Sequence, residues 1–188
     1  MYVAITSIDP LRIYIYKEGL VRFATEPYKC LNTKRTSFSN SKFAHLTNYS
    51  LNKKNEGFSE GEDPERDDQG LKWSLSALKK HLAEKNVNVD HVFSEIESIV
   101  IKTIISAEPK MLEAFKKFVP YRTNCFELLG FDVLLDSKLK PWLLEVNLAP
   151  SLTCDTAVDH KIKSKMVADL FTLAGMIPDE KQTLAADP

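Results

Sequence analysis

The chain has 188 residues, 25 basic and 26 acidic side chains, a formal net charge of -1 and 44% apolar residues. That balance excludes wholesale disorder, gives no global electrostatic case for binding nucleic acid, and suits one domain with a real core. No apolar run reaches the ~18 residues that a membrane span needs, and the three cysteines, Cys30, Cys125 and Cys154, are too few and too scattered for a disulfide scaffold.

The predicted elements begin with strands. Residues 2–7 are apolar and β-branched, residues 12–16 alternate, and a turn ending at Gly19 leads into a third strand over 20–25. A chain that opens in the middle of a sheet, with no basic start of a signal peptide, is expected to be part of a longer protein. Residues 44–49 read as a short strand, in which His45 and Thr47 share one face and Asn48 takes the other. Residues 55–70 read as a surface loop or disordered insert, since six of the nine residues from 60 to 68 are acidic. Trp73, Leu75, Ala77, Leu78 and Leu82 fit one face of a helix over about 71–85. Asp90 is placed to cap a second helix, whose Val92, Phe93, Ile96, Ile99, Val100, Thr103 and Ile104 recur at helical spacing. Pro109 is expected to break or restart it, with two more turns over 111–118. Strands return over 125–135 and 141–147, joined by a turn at 136–140. A last amphipathic helix over 159–173 turns Ile162, Met166, Val167, Leu170 and Phe171 inward and stops at Gly175. The residues beyond 178 read as a tail.

The two late strands carry the strongest chemical signal. Side chains two apart on a strand share a face, so Glu145 and Asn147 are expected to point away from Trp142, Leu144 and Val146. Closing the hairpin at Lys138 and Leu139 pairs residue 136 with 141 and sets Asp132 directly opposite Glu145. Two carboxylates ~5 Å apart repel each other unless something offsets their charge. A hard divalent cation such as Mg²⁺ does so, taking carboxylate and amide oxygens with phosphate and water completing its shell. The same spacing also fits an edge hairpin with a solvated polar face. His45, Thr47 and Asn48 offer groups that suit phosphate, ribose or carboxylate oxygens, and Arg22 offers a fork for an anion. Each also fits an ordinary structural or surface role. The chain contains no Gly-rich phosphate loop of the known patterns and no nucleophile elbow.

Six stretches, in order, resemble the tubulin tyrosine ligase-like family: residues 6–14 (TSIDPLRIY), 19–28 (GLVRFATEPY), 45–50 (HLTNYS), 72–75 (KWSL), 124–134 (NCFELLGFDVL) and 139–152 (LKPWLLEVNLAPSL). The likeness runs over about residues 2–178, and its wording is nearest to the polyglutamylase branch. It implies an α+β, ATP-grasp type fold, an antiparallel sheet flanked by helices, of which residues 1–178 are the C-terminal part. It implies an ATP-dependent ligase that joins glutamate to the γ-carboxyl of tubulin tail glutamates through an acyl phosphate. By the resemblance, Asp132, Glu145 and Asn147 match the ligands of Mg²⁺-ATP. Arg22 matches an arginine near the γ-phosphate and the acceptor carboxylate. His45, Leu46, Thr47 and Asn48 match a segment that lines nucleotide and substrate, and Leu144 matches an apolar contact to adenine. Arg22 and Glu145 are then the catalytic candidates, and Arg22 and His45 the substrate-binding ones.

The implied cofactors are ATP and Mg²⁺. The implied partners are free glutamate and the acidic tails of tubulin, with no nucleic acid and no membrane, in the cytoplasm and cytoskeleton, the cilium and basal body among the places. Lys34, Arg35, Lys53 and Lys54 are candidates for drawing an acidic tail, and also fit ordinary surface lysines and arginines. The family's phosphate-binding lysines and adenine hinge have no counterpart in the matching stretches, so this chain is expected to be inactive alone. The alternatives are a non-catalytic tubulin-binding module and a family ligase that donates glycine or tyrosine.

Overall fold

The computed structural model describes residues 1–26, 42–47, 67–121 and 125–176. Asn48, the basic residues Lys34, Arg35, Lys53 and Lys54, residues 55–66 of the acidic stretch, Cys30 and the tail lie outside them. The chain forms two compact units, one of Met1–Tyr16, His91–Leu152 and Lys163–Pro188, the other of Lys17–Asp90 and Thr153–Ile162.

The first unit is a four-stranded antiparallel sheet in the order β2-β1-β5-β6, built from β1 (Tyr2–Ile8), β2 (Leu11–Ile15), β5 (Glu127–Leu135) and β6 (Pro141–Asn147). One face of this sheet packs on the long helix α3 (Val89–Phe118). Val3 and Ile5 of β1, Leu129 and Phe131 of β5, and Val100 and Ile104 of α3 form a buried cluster, flanked by Ile13, Ile15, Met111 and Val146. The alternation of the strands and the helical spacing of α3 both feed this core, so the sequence pattern and the packing agree. Pro109 does not end the helix. It lies inside α3, which runs 30 residues to Phe118. A proline there forfeits the hydrogen bond to the carbonyl of Ile105. Packing of Met111 against the core, beyond the proline, rewards continuing the helix.

The second unit pairs β3 (Leu20–Arg22) with β4 (Lys72–Ser74) as an antiparallel ribbon and adds the helices α1 (Lys42–His45) and α2 (Leu75–Glu84). Trp73, expected on the face of a helix, is instead the middle residue of β4. Its ring meets Phe23 edge-on at 4.9 Å and His81 at 5.6 Å. The helix begins later because Ser74 caps it, its hydroxyl accepting from the Ala77 N–H at 2.9 Å. Asn86, at φ 58, ends α2, with the Val87 N–H reaching the Leu82 carbonyl at 3.1 Å. Over its described part, residues 44–47, the strand expected over 44–49 is not formed: Lys42 to His45 make one helical turn, and Leu46 and Thr47 follow without regular structure. A strand needs a partner for its ladder, and Lys, Ala and Phe need none to form a turn of helix.

The last helix, α4 (Ala157–Leu173), starts two residues before the expected Asp159. Ile162, Met166 and Leu170 are buried as expected, whereas Phe171 is 46% exposed. Gly175, at φ +72, closes it, with the Met176 N–H bonded to the Phe171 carbonyl at 2.9 Å. Cys125 and Cys154 are exposed thiols, not joined in a disulfide. Among the described residues no helix is long and apolar enough to cross a membrane.

Among the described residues, Gly130 is a glycine whose missing side chain decides a contact. It pairs with Asn147 across β5 and β6, and a Cβ at Gly130 would stand 2.8 Å from the Cβ of Pro150. The chain leaving β6 therefore folds back over the sheet at this point. Gly130→Ala is expected to cost about 1–3 kcal/mol by overpacking and to shift the 148–150 segment, read as a lower melting temperature and altered backbone NMR shifts around Asn147. Unchanged stability and shifts would show that Pro150 gives way freely.

Candidate cation and nucleotide site

Asp132 and Glu145 are direct partners in the ladder between β5 and β6, as the hairpin reasoning predicts. The route to that pairing differs. The turn closes with Leu135 opposite Pro141, not 136 opposite 141, and the register shifts between Val133 and Asp132. Leu134 pairs with Trp142 and Val133 with Leu143, so Leu144 is the extra residue of a β-bulge. The bulge changes the parity of β6. Trp142 now shares its face with Leu134, Asp132, Glu145 and Asn147, whereas Leu143 and Val146 share the opposite face with Phe131 and Val133, Val146 packing against the core and Leu143 remaining exposed. The expectation that Trp142 and Leu144 point away from Glu145 is corrected accordingly: Trp142 lies on the carboxylate face, and Leu144 is the bulged residue, 63% exposed.

The turn that forces the bulge is held by one side chain. Asp136 Oδ1 accepts from the N–H groups of Lys138 and Lys140 at 2.8 and 3.0 Å, and its Oδ2 accepts from the Trp142 indole N–H at 3.0 Å. Leu139 takes a left-handed conformation at φ 62. Lys140 lays its ammonium 4.3 Å from the centre of the Trp142 ring. A two-residue loop at Lys138 and Leu139 cannot make these bonds, which is why the simple hairpin pairing fails at the turn and is restored by the bulge.

The Trp142 indole N–H, then the Lys138 N–H, hold the Asp136 carboxyl below the ordinary aspartate range, with the Lys140 N–H and ammonium adding to them and desolvation opposing them. A lowered native pKa stabilises the fold above the unfolded value of about 3.9, and the benefit is lost as pH falls through the lowered one. The Trp142 indole N–H resonance is therefore expected to stay constant from neutral pH down to about 4 and to move only below it. Asp136→Asn is expected to move that resonance at neutral pH. A resonance that titrates at the ordinary value, or ignores the substitution, contradicts the clamp.

Within the carboxylate face, the Asn147 amide donates from Nδ2 to Glu145 Oε1 at 3.3 Å. An amide oriented that way keeps its Oδ1 as an acceptor, so three oxygen-bearing groups share one end of the hairpin. Two carboxylates set opposite each other and an amide form a donor set of hard oxygens, which fits Mg²⁺ better than a soft metal. Among the described residues no three His, Cys, Asp or Glu side chains cluster as a complete metal cage. A cation on Asp132 and Glu145 would thus draw its other ligands from Asn147, from phosphate and from water, as Mg²⁺ does in nucleotide sites.

The other predicted residues lie in the second unit. Arg22 ends β3 and is exposed; His45 ends α1 and is exposed; Leu46 is 42% exposed and Thr47 half-buried. The shared strand face of His45 and Thr47 does not exist, because His45 is helical. Two residues that carry charge near Arg22 escaped the sequence reading. Lys72 is the ladder partner of Arg22, and its ammonium is 2.5 Å from Asp159 Oδ2. The pairing of Lys72 is hidden from the sequence because helical spacing runs through its segment. The cap that orients Asp159 was legible as Thr156-x-x-Asp159 just ahead of the apolar spacing of α4.

The sequence matches the tubulin-tyrosine ligase family over residues 1–184. Human tubulin polyglutamylase TTLL5 is 50% identical over 177 residues, covering 94% of this chain and 14% of that protein. Human tubulin monoglutamylase TTLL4 is 44% identical over 188 residues, covering 100% of this chain and 15% of that protein. Tubulin polyglutamylase ttll-5 of Caenorhabditis elegans is 41% identical over 174 residues, covering 93% of this chain and 23% of that protein. The chain thus spans less than a quarter of the length of each of these relatives, and a match that runs nearly end to end of its own length shows that it belongs to the tubulin-tyrosine ligase family.

Proposed function

We propose that the protein containing this chain is an ATP-dependent carboxylate-amine ligase that joins glutamate to the γ-carboxyl of glutamates in the acidic tails of tubulin. The observation that carries the reading is the directly paired Asp132 and Glu145, with Asn147 bonded to Glu145, in a chain of this family. The relatives named as tubulin glutamylases favour glutamate as the donated amino acid over glycine or tyrosine. The mixed α/β architecture with an antiparallel sheet is compatible with an ATP-grasp fold, which we include in the proposal.

In this reading Asp132 and Glu145 hold a Mg²⁺ through carboxylate oxygens, and Asn147 adds its amide oxygen. When bound, the metal neutralises charge on the phosphates of ATP and polarises the transferring group. Leu144, pushed out by the bulge, offers an apolar contact for adenine. Leu46, Thr47 and Asn48 line nucleotide and substrate, and His45 orients a substrate carboxylate. Arg22 supplies a planar cation for the γ-phosphate or the acceptor carboxylate. Holding two anionic substrates together needs such cationic groups, because the acceptor tail, the amino acid and the nucleotide repel one another. The proposed place of action is the microtubule cytoskeleton of the cytoplasm, cilia and basal bodies included.

The test is incorporation of labelled glutamate into tubulin by the full-length protein, with and without ATP and Mg²⁺. Incorporation that requires both supports the reading. No incorporation by a folded protein that still binds tubulin would favour a binding module, and incorporation of glycine or tyrosine instead would change the donor.

A further inference from the structure

The hairpin of β5 and β6 has two ways to close that share one pair. A two-residue loop sets residue 136 opposite 141, Leu134 opposite Leu143 and Asp132 opposite Glu145. The observed turn sets Leu135 opposite Pro141, Leu134 opposite Trp142 and, past the bulge, again Asp132 opposite Glu145. The carboxylate pair is the same in both registers. Leu144 is not. Without the bulge it stands opposite Val133 and leaves from that face of the sheet together with Trp142 and Val146. With the bulge it is the extra residue, opposite none of β5, and exposed.

Register is held firmly where one face of a strand is buried. This end of the hairpin is not buried. Val133 is half-buried and Leu143 exposed on one face, and Leu134 and Trp142 are exposed on the other. Apolar burial therefore does little to choose between the registers, and hydrogen bonds decide. The Asp136 N–H donates to the Lys140 carbonyl at 3.1 Å, and the Leu139 N–H to the Asp136 carbonyl at 2.8 Å, which closes the longer turn. The Asp136 carboxylate adds the Lys138 and Lys140 N–H groups through Oδ1 and the Trp142 indole N–H through Oδ2. Only the indole bond fixes which face Trp142 takes, and its acceptor is an ionised group, which makes it roughly twice as strong as a neutral bond. The unbulged register turns the indole to the opposite face, away from that carboxylate.

Building on the proposed function, in which Leu144 meets adenine, we infer that Asp136 is a positioning residue of the nucleotide site: through the Trp142 indole it selects the bulged register, and the bulge delivers Leu144 to the base. Asp136 touches neither nucleotide nor cation. Its effect falls on recognition of the base, because the cation pair is common to both registers. The contact is in place before the nucleotide arrives, which spares the ordering cost on binding.

The experiment uses the full-length protein and the variants Asp136→Asn, Trp142→Phe, Leu144→Ala and the pair of Asp136→Asn with Leu144→Ala. Asparagine keeps an oxygen for the Lys138 and Lys140 N–H groups but turns an amide donor toward the indole donor. Phenylalanine keeps a ring beside Lys140 and lacks the N–H. The two changes cut one link from opposite ends. Affinities for a non-hydrolysable ATP analogue and for inorganic tripolyphosphate, each with Mg²⁺, are measured calorimetrically, beside kcat and the KM values for ATP, glutamate and tubulin. Each single variant is expected to weaken the ATP analogue and raise the KM for ATP about tenfold, the size of one lost leucine contact. Tripolyphosphate, which has no base, and the KM values for glutamate and tubulin are expected to change less than about twofold. The paired variant is expected to be no worse than Leu144→Ala alone, since the two residues act as one unit.

Asp136→Asn and Trp142→Phe proteins that bind the ATP analogue as the wild type does overturn the inference while leaving the ligase reading standing. A loss that falls equally on tripolyphosphate, or that adds in full to the loss from Leu144→Ala, overturns it too, since either marks a general loosening of the hairpin. A protein without ligase activity whose affinity for the ATP analogue depends on Asp136 and Leu144 as one unit overturns the ligase reading and keeps the inference. Neither activity nor binding of either probe overturns both. If Asp136→Asn melts early, Trp142→Phe carries the decision, because it leaves Asp136 and its bonds within the turn in place.

Discussion

Replacing Glu145 with glutamine is expected to lower the rate of glutamate incorporation by at least about 10²-fold while leaving the melting temperature within a few degrees, as loss of one preorganised electrostatic contact does elsewhere. Glu145 is exposed and pairs with Asp132 at the surface end of the hairpin, so no core contact is lost. Glutamine keeps the shape and can still accept from Asn147. It removes the charge that a divalent cation needs, and one carboxylate with two amides is a poor seat for Mg²⁺. Relief of the repulsion across the ladder gives a second signature: the variant is expected to be as stable as the wild type, or slightly more so, in the absence of divalent cations. The measurement is labelled incorporation at saturating ATP, with thermal unfolding in parallel. Activity within about threefold of wild type would remove Glu145 from the machinery.

The second large effect concerns stability. Phe131 is 1% exposed and sits in the cluster with Val3, Ile5, Val100, Ile104 and Leu129. Phe131→Ala is expected to cost about 3–5 kcal/mol, the range for truncating a buried phenylalanine. At roughly 2–4 °C per kcal/mol for a chain of this size, the melting temperature should fall by roughly 6–20 °C. The consequence reaches the site, because Phe131 and Asp132 are neighbours on β5 pointing to opposite faces. The core side chain anchors the strand whose other face carries the carboxylate. A loss of less than about 1 kcal/mol, measured by denaturant titration, would mean that the cluster repacks around the gap.

The carboxylate pair was legible in the sequence because two strands of alternating residues around a short turn fix parity and rough register. What the sequence did not disclose was the bulge. A two-residue loop at Lys138 and Leu139 and a five-residue turn held by Asp136 both bring Asp132 opposite Glu145, the second with Leu144 spared. The two routes differ in which aromatic shares the carboxylate face, and only the clamp from Asp136 to the Trp142 indole settles that. The spacing of Trp73, Ala77 and Leu78 suggests helix over a segment whose Lys72, Trp73 and Ser74 pair with β3. There the ladder and the Ser74 cap overrule periodicity. Pro109 misled in the other direction, since packing beyond the proline outweighs one missing hydrogen bond. Arg22 was visible as a cation in an apolar strand. Its partner Lys72 was not, because a cross-strand neighbour 50 residues away is a tertiary fact.

The most direct test of the cation site is the binding of Mn²⁺, a paramagnetic substitute for Mg²⁺, to the full-length protein in the presence of a non-hydrolysable ATP analogue, followed by electron paramagnetic resonance. The site built on Asp132, Glu145 and Asn147 predicts nucleotide-dependent Mn²⁺ binding, weakened at least about tenfold by Asp132→Asn and by Glu145→Gln, each of which removes a charged oxygen ligand. Mn²⁺ bound with unchanged affinity in both variants would contradict it.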